Sequence, residues 1–131
     1  TLAFIGEADE ASARRIASAL RSLPPHALAM DLDGVGVFRS GILWAGLAEK
    51  NQLEKMSLEV RELLKRLGIS FDAKLFRAHI TLARDWRGPE PGALPHLPRM
   101  TGLKTGVLTA RLFESYRNER GAVCYRPISA D

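Results

Sequence analysis

The sequence predicts an α+β fold whose sheet is mostly antiparallel. Its patterns run in the order strand, helix, strands, helix, strands, without the regular strand–helix alternation of a parallel sheet. Two apolar stripes with helical spacing lie before Pro24-Pro25 and before Gly68. A turn signal at residues 118–121 joins two strand-like runs near the end of the chain.

The N-terminal half is expected to contain three strands and two helices. Alternation over residues 2–5 predicts a strand, and Asp9 is a suitable N-cap for a helix that Pro24-Pro25 ends. Residues 28–38 are typical of a strand bent at its glycines, and residues 42–48 of another strand. The clearest helix is predicted over residues 51–67, where a continuous apolar stripe is stopped by a glycine.

The C-terminal half is expected to be strand-rich. Residues 75–85 alternate strongly and predict a strand. Residues 86–103 are rich in proline and glycine without periodicity, which indicates a long loop. Residues 104–116 and 122–128 are predicted to form two further strands around the turn.

Length and composition fit one globular domain. The chain has 131 residues, of which 46% are hydrophobic and 26% charged, close to the average for folded domains. No apolar run approaches the ~20 residues of a membrane span, so no membrane partner is expected. The single cysteine, Cys124, excludes an internal disulfide framework and a cysteine-rich zinc site. The expected compartment is the reducing cytoplasm.

The charge balance is mildly basic. The chain carries 19 basic and 15 acidic residues, a formal net charge of +4, and most of the basic residues are arginine. Guanidinium groups suit forked binding of phosphate, so an RNA or nucleotide partner is permitted. Codon usage in an alanine-rich chain explains the arginines equally well.

Residues 76–84 carry the candidate chemistry. Because alternate residues of a strand share a face, one apolar face is expected to be buried. It consists of Phe76, Ala78, Ile80 and Leu82. The opposite face carries Arg77, His79 and Thr81. A histidine can move a proton near neutral pH, and a threonine hydroxyl beside it can donate to a phosphoryl oxygen. The alternative is a surface histidine on an ordinary strand, because His-x-Thr arises easily by chance.

These residues and others give the chain a family resemblance. Residues 79–82, His-Ile-Thr-Leu, match the second of two His-x-Thr-x motifs that occur in the two-histidine (2H) phosphoesterases. Residues 1–6 resemble the first motif from its threonine onward. Residues 42–47 resemble the strand before the second long helix of the RNA 2′,3′-cyclic phosphodiesterases in that superfamily, also called 2′-5′ RNA ligases. Residues 112–115 and 121–127 resemble the closing hairpin of these enzymes. Ala78 departs from the proline that often precedes the second histidine.

The resemblance implies a fold of two pseudo-symmetric lobes. In this fold antiparallel sheets carry helices on their outside, and a central cleft holds one motif from each lobe. Residues 1–131 are then a single 2H phosphoesterase domain. The first motif's histidine would stand two positions before Thr1, so an N-terminal part of the domain is expected to precede the present chain.

The resemblance also implies an enzyme that hydrolyses terminal 2′,3′-cyclic phosphates of RNA to 2′-phosphates, with reversible 2′-5′ RNA ligation as an accompanying reaction. One histidine would act as base on water and the other as acid on the leaving 3′ oxygen, and His79 is favoured as the base. Thr1 and Thr81 would hold the non-bridging oxygens. Arg84 and Arg77 are the candidate substrate-binding residues. No metal or other cofactor is implied.

Alternatives remain open for function and for individual residues. The chain could be a non-catalytic RNA- or nucleotide-binding module of the same fold, or a 2H enzyme acting on small cyclic nucleotides rather than RNA ends. A monomer is expected. Arg84 could instead pair with a carboxylate, and Arg77 could be an ordinary solvated arginine. His26 and His96 are expected to be non-catalytic residues of exposed loops, although His96 could contact substrate if its loop folds over the cleft. Trp44 and Tyr125 are expected in the core.

Overall fold

The helices and strands follow one another in the predicted order, except that the chain begins with a helix rather than a strand. A computed structural model describes residues 1–89 and 106–131. Within these residues the elements are α1 (Glu10–Leu20), β1 (His26–Leu28), β2 (Leu32–Val37), β3 (Leu43–Leu47), α2 (Asn51–Arg66), β4 (Ile80–Ala83), β5 (Gly106–Leu108), β6 (Phe113–Arg117) and β7 (Val123–Pro127). The predicted α+β class is confirmed.

The strands form three small sheets among the described residues. Strands β2, β3 and β4 make a three-stranded sheet in that order, with both pairs antiparallel. Strands β6 and β7 form an antiparallel hairpin, and β1 pairs with β5. Neither α1 nor α2, the helices of the described ranges, has the length and apolar character to cross a membrane.

The chain divides into two compact units. Unit 1 contains Thr1–His26, Lys55–Phe76 and Leu108–Asp131, and so holds α1, most of α2 and the β6–β7 hairpin. Unit 2 contains Ala27–Glu54 and Arg77–Val107, and so holds the sheet β2-β3-β4.

The core of unit 1 forms where the two helices present their apolar stripes. Ile16 and Leu20 of α1 cluster with buried side chains of α2, namely Val60, Leu63 and Leu64. The Asp9 side chain caps α1 by accepting a hydrogen bond of 2.6 Å from the Ser12 amide. Burial of each large apolar side chain contributes about 1.5–3 kcal/mol, so this cluster supplies much of the unit's stability.

The predicted strand at residues 2–5 is wrong. The segment has no regular secondary structure, and its described backbone hydrogen bonds go to scattered partners rather than to a ladder. The Leu2 carbonyl accepts from the Ser57 hydroxyl at 2.7 Å, and the Phe4 carbonyl accepts from the Asp72 amide at 2.8 Å. Leu2, Ala3 and Ile5 nevertheless pack against the core of unit 1, while Phe4 is 61% exposed. The alternation at residues 3–5 therefore reflects packing against the core rather than strand pairing.

The other predicted strands are shorter than expected. Of residues 28–38, Leu28 ends β1 and Leu32–Val37 form β2. The pairing of β2 with β3 is interrupted by an irregularity between Leu32 and Val35, where Gly34 has φ 77°. Residues 104–116 likewise contain two separate strands, β5 and β6. Most of the loop predicted over residues 86–103 lies outside the described residues, and so does His96.

The expected burial of one face of residues 75–85 is also wrong. Only Ile80–Ala83 is a strand, and Leu82 is 52% exposed. Its register explains the exposure: Trp44 pairs with Thr81 and Leu43 with Ala83, so Leu82 falls in a bulge between two pairs. The extra residue breaks the alternation on which the prediction rested.

The closing hairpin is confirmed as predicted. Its turn is built by Asn118, whose side-chain oxygen accepts from the amides of Arg120 (3.0 Å) and Ala122 (2.9 Å). Gly121 supplies the left-handed conformation that the turn requires, with φ 76°.

Candidate active site

The imidazole of His79 is oriented by the backbone beside it. His79 immediately precedes β4, is half-buried, and places Nδ1 2.6 Å from the carbonyl oxygen of Arg77. A carbonyl oxygen can only accept, so Nδ1 carries the hydrogen in this contact. In the neutral ring Nε2 then has the free lone pair, and Nε2 is the atom able to take up a proton.

An aromatic stack lies behind this imidazole. The ring of Phe38, the residue after β2, meets the His79 ring edge-to-face, with centroids 5.0 Å apart and planes at 89°. Phe38 in turn packs on Trp44 of β3, with centroids 5.4 Å apart. Trp44 lies against Gly36, where an added Cβ would come within 2.2 Å of the indole ring. The glycine therefore provides the space that the stack occupies.

Thr81 lies on the same face of the sheet as this stack. Thr81 of β4 is paired directly with Trp44 of β3, and residues paired across antiparallel strands have side chains on one face. Its side chain is exposed, while Trp44 is half-buried. His79 and the Thr81 hydroxyl thus occupy one face of unit 2, a proton-transfer group beside a hydrogen-bond donor.

The remaining predicted site residues are divided between the two units. Arg77 is exposed and contributes its carbonyl to His79. Arg84 is exposed at the end of β4, just before Asp85 turns the chain with φ 52°. The Trp86 amide then donates to the Gly41 carbonyl at 2.9 Å, which fixes the segment after β4 to the β2–β3 turn. Thr1 is exposed and belongs to unit 1, whereas the other four residues belong to unit 2.

Sequence reasoning misplaced His26. It was expected in an exposed loop after the two prolines, but it is the first residue of β1 and only 7% exposed. Its Nε2 lies 2.7 Å from the Glu59 carboxylate of α2. A buried polar group needs such a partner, so this histidine has a structural role in unit 1.

Sequence reasoning also misplaced Tyr125 and did not single out Phe38. Tyr125, expected in the core, is 57% exposed on β7. Trp44, also expected in the core, is half-buried within the stack behind His79. The only sequence signal for Phe38 was an aromatic residue at the end of a predicted strand.

Metal binding was not expected from the sequence. Among residues 1–89 and 106–131, His, Cys, Asp and Glu side chains do not gather in groups of three or more that could hold an ion.

Comparison with known proteins identifies the family. Residues 46–125 match the family model described as "LigT like Phosphoesterase". The RNA 2′,3′-cyclic phosphodiesterase of Aeropyrum pernix is 31% identical over 132 residues, which cover 94% of this chain and 75% of the relative. That of Geobacillus stearothermophilus is 34% identical over 109 residues, covering 75% of this chain but only 34% of the relative, so the chain spans about a third of that protein's length.

A solved structure agrees on the fold. The crystal structure of E. coli LigT complexed with 3′-AMP superposes with a TM-score of 0.73 at 23% identity, covering 98% of this chain and 72% of that one. The predicted 2H phosphoesterase fold is therefore confirmed. Because the family match spans most of the chain and includes β4 with its histidine and threonine, the chain belongs to the LigT-like phosphoesterase family.

Proposed function

We propose that this chain hydrolyses 2′,3′-cyclic phosphates at RNA ends and leaves a 2′-phosphate. The observation that carries the proposal is that His79, oriented by its contacts with Arg77 and Phe38, lies on the same face of the sheet as Thr81. Two relatives named as RNA 2′,3′-cyclic phosphodiesterases support the substrate class. Reversible 2′-5′ ligation is the same chemistry run with an RNA hydroxyl in place of water.

His79 acts as the general base. Nε2 takes a proton from the attacking water while Nδ1 keeps its hydrogen on the Arg77 carbonyl, which also stabilises the imidazolium that forms. The water oxygen bonds to phosphorus and the bond from phosphorus to the 3′ oxygen breaks. The leaving 3′ oxygen takes up a proton from a second acid, a role that the resemblance implies for the histidine of the first motif.

Thr81 and the two arginines stabilise negative charge and do not transfer protons. Thr81 donates a hydrogen bond to a non-bridging oxygen, whose negative charge grows at the pentacoordinate stage. Arg84 and Arg77 bind the phosphate or the neighbouring RNA backbone, for which a guanidinium is well shaped. The mechanism uses no metal or other cofactor.

The first experiment measures hydrolysis of a short RNA ending in a 2′,3′-cyclic phosphate by the complete gene product. Replacement of one general base lowers turnover by about 10²–10⁴-fold, so His79→Ala should lose this much of kcat while KM changes little. ³¹P NMR of the product should place the phosphate on the 2′ oxygen. Wild-type protein that binds this RNA without converting it would instead support the non-catalytic binding module.

A matched pair of variants tests the threonine. Thr81→Val removes the hydroxyl at nearly constant volume, and Thr109→Val makes the same change at an exposed position of unit 1. We expect Thr81→Val to lower kcat at least tenfold, since one lost donor to a developing charge has this order of effect. Thr109→Val should retain wild-type kcat. Equal rates for both variants would remove Thr81 from the mechanism.

Small cyclic nucleotides are the second candidate substrate. The solved neighbour, E. coli LigT, is complexed with 3′-AMP, which shows that a protein of this fold holds a single nucleotide. Comparison of kcat/KM for a cyclic-ended oligonucleotide and for a nucleoside 2′,3′-cyclic phosphate separates the two. RNA as the physiological substrate requires the oligonucleotide to be clearly preferred.

We further propose the setting in which this activity operates. Units 1 and 2 belong to one phosphoesterase domain, which acts as a monomer in the cytoplasm. The single cysteine and the mild positive charge support this setting. Light scattering of the complete protein tests it, because a mass above that of one chain would contradict the monomer.

A further inference from the structure

Within the described part of the chain, the ring of His79 has a hydrogen bond to the Arg77 carbonyl and an edge-to-face contact with Phe38. The hydrogen bond from Nδ1 to the Arg77 carbonyl fixes the position of one atom of the ring. A single hydrogen bond to a neighbouring residue leaves the imidazole free to swing about the line that joins the two atoms. The edge-to-face contact with Phe38, at a centroid distance of 5.0 Å, opposes that motion.

Phe38 is itself held rigidly. Its amide donates to the Ile42 carbonyl at 2.9 Å, and its carbonyl accepts from the Gly41 amide at 2.8 Å. These bonds close the tight turn between β2 and β3, in which Gly41 has the required positive φ of 77°. The Trp86 amide adds a bond of 2.9 Å to the Gly41 carbonyl. The backbone of Phe38 is therefore fixed from both sides of the turn.

The ring of Phe38 is also supported from behind. Trp44 packs on it with centroids 5.4 Å apart, and the indole lies against the backbone at Gly36. The Phe38 ring is thus enclosed between His79 and Trp44. A ring in this position supports the histidine.

We infer that Phe38 is a positioning residue for His79. With Trp44 behind it, Phe38 keeps the imidazole in the orientation in which Nδ1 stays on the Arg77 carbonyl and Nε2 stays available for proton transfer. This role goes beyond the proposed function but rests on it, because it matters for turnover only if His79 is catalytic. A group held slightly out of place loses much of its catalytic effect.

The kinetic test uses three variants of the complete protein. Phe38→Leu removes the ring but keeps an apolar side chain, Phe38→Tyr keeps the ring, and Phe113→Leu makes the leucine change on β6 of unit 1, where Phe113 is 51% exposed. We expect Phe38→Leu to lower kcat by about tenfold with KM within twofold of wild type. Phe38→Tyr should recover most of the rate, and Phe113→Leu should match wild type.

A second readout does not depend on turnover. In ¹⁵N-histidine NMR spectra recorded at a pH where histidine side chains are neutral, the wild-type His79 signals should report hydrogen on Nδ1. In Phe38→Leu the signals should move toward a mixture of both tautomers, because a ring released from its contact exchanges between them. If Phe38→Leu fails to fold by circular dichroism, Phe38→Met takes its place in both measurements.

The outcomes separate the inference from the proposed function. Wild-type protein inactive on cyclic phosphates refutes the proposed function, while the tautomer measurement still decides the role of Phe38. Unchanged kcat and unchanged tautomer in Phe38→Leu overturn the inference. A raised KM at constant kcat also overturns it, because Phe38 would then bind the substrate rather than position the histidine.

Discussion

Asp85 joins the site to the rest of unit 2 through an unusual backbone conformation. Among the described residues it is the one non-glycine position with positive φ, at 52°. It directly follows Arg84, and the next amide, that of Trp86, bonds to the Gly41 carbonyl. Aspartate tolerates this left-handed region better than most residues, which explains its use at this turn.

This conformation leads to a prediction about stability. Asp85→Gly should keep the fold and leave the unfolding midpoint at or slightly above that of wild type, because glycine adopts positive φ without steric cost. Asp85→Val should lower the free energy of unfolding by about 1–3 kcal/mol, because a β-branched side chain is strained there. Urea unfolding measures both. A valine variant as stable as wild type would show that the turn rearranges at no cost.

The candidate site was only partly predictable from single residues. His79 and Thr81 were found because a spacing of two marks one face of a strand, and the register of β4 on β3 keeps Thr81 opposite Trp44. Leu82 was misassigned because the sequence carries no signal for the bulge beside it. Phe38 was missed because its importance arises from a contact across 41 positions of chain, from residue 38 to 79.

At the scale of elements, the three-stranded sheet depends on a close approach of two backbones. An added Cβ at Gly46 of β3 would lie 2.3 Å from the carbonyl oxygen of Asp33 in β2. Gly46 is buried, so its neighbours have little room to move. The contact falls where the pairing of β2 with β3 is interrupted, between Leu32 and Val35.

Gly46→Ala should therefore destabilise this sheet. The methyl group forces the two strands apart, and overpacking of this kind costs about 1–3 kcal/mol. Gly106→Ala is the matched control, because an added Cβ in β5 has open space within 4 Å. Tryptophan fluorescence during urea unfolding is a direct probe, since Trp44 and Trp86 both lie in unit 2. Equal midpoints for the two variants would contradict the close approach.

Helices were predicted more accurately than strands for a physical reason. The 51–67 prediction differs from α2 (Asn51–Arg66) by one residue, because a helix is specified by its own local stripe and its stop signal. A strand exists only where a partner pairs with it. Residues 2–5 have a strand pattern, but the Leu2 carbonyl accepts a hydrogen bond from the Ser57 side chain of α2 and the Phe4 carbonyl accepts one from the Asp72 amide. The segment therefore packs against the core without pairing with another strand.

At the scale of the molecule, several carboxyl groups of unit 1 have pKa values shifted in the same direction. Among residues 1–89 and 106–131, four carboxyl groups have lowered pKa values, all of them in unit 1: Asp9, Glu62, Asp72 and Glu114. Backbone amides lower the pKa of two of them, that of Ser12 for Asp9 and that of Lys74 for Asp72. Hydrogen bonds from Lys65 and Arg126 lower the pKa values of Glu62 and Glu114.

These shifts determine how the stability of unit 1 should change with pH. A carboxyl group whose pKa is lower in the folded than in the unfolded chain stabilises the fold above the ordinary pKa, 3.8 for aspartate and 4.5 for glutamate. That contribution is lost as the pH falls through the folded-state value. We therefore expect the thermal midpoint of the helical circular dichroism signal, which comes mainly from unit 1, to fall steadily as the pH is lowered from 5 to 3.

Added salt should reduce part of this acid dependence. The ion pairs of Glu62 with Lys65 and of Glu114 with Arg126 are exposed, so salt screens them. The cap at Asp9 and the backbone contact of Asp72 are hydrogen bonds at close range, 2.6 and 2.9 Å, and depend less on salt. The fall in midpoint should thus be smaller in 1 M NaCl than in 50 mM NaCl but should not vanish. A helical midpoint that is constant from pH 5 to 3 at low salt would show that these carboxylates contribute nothing to the stability of unit 1.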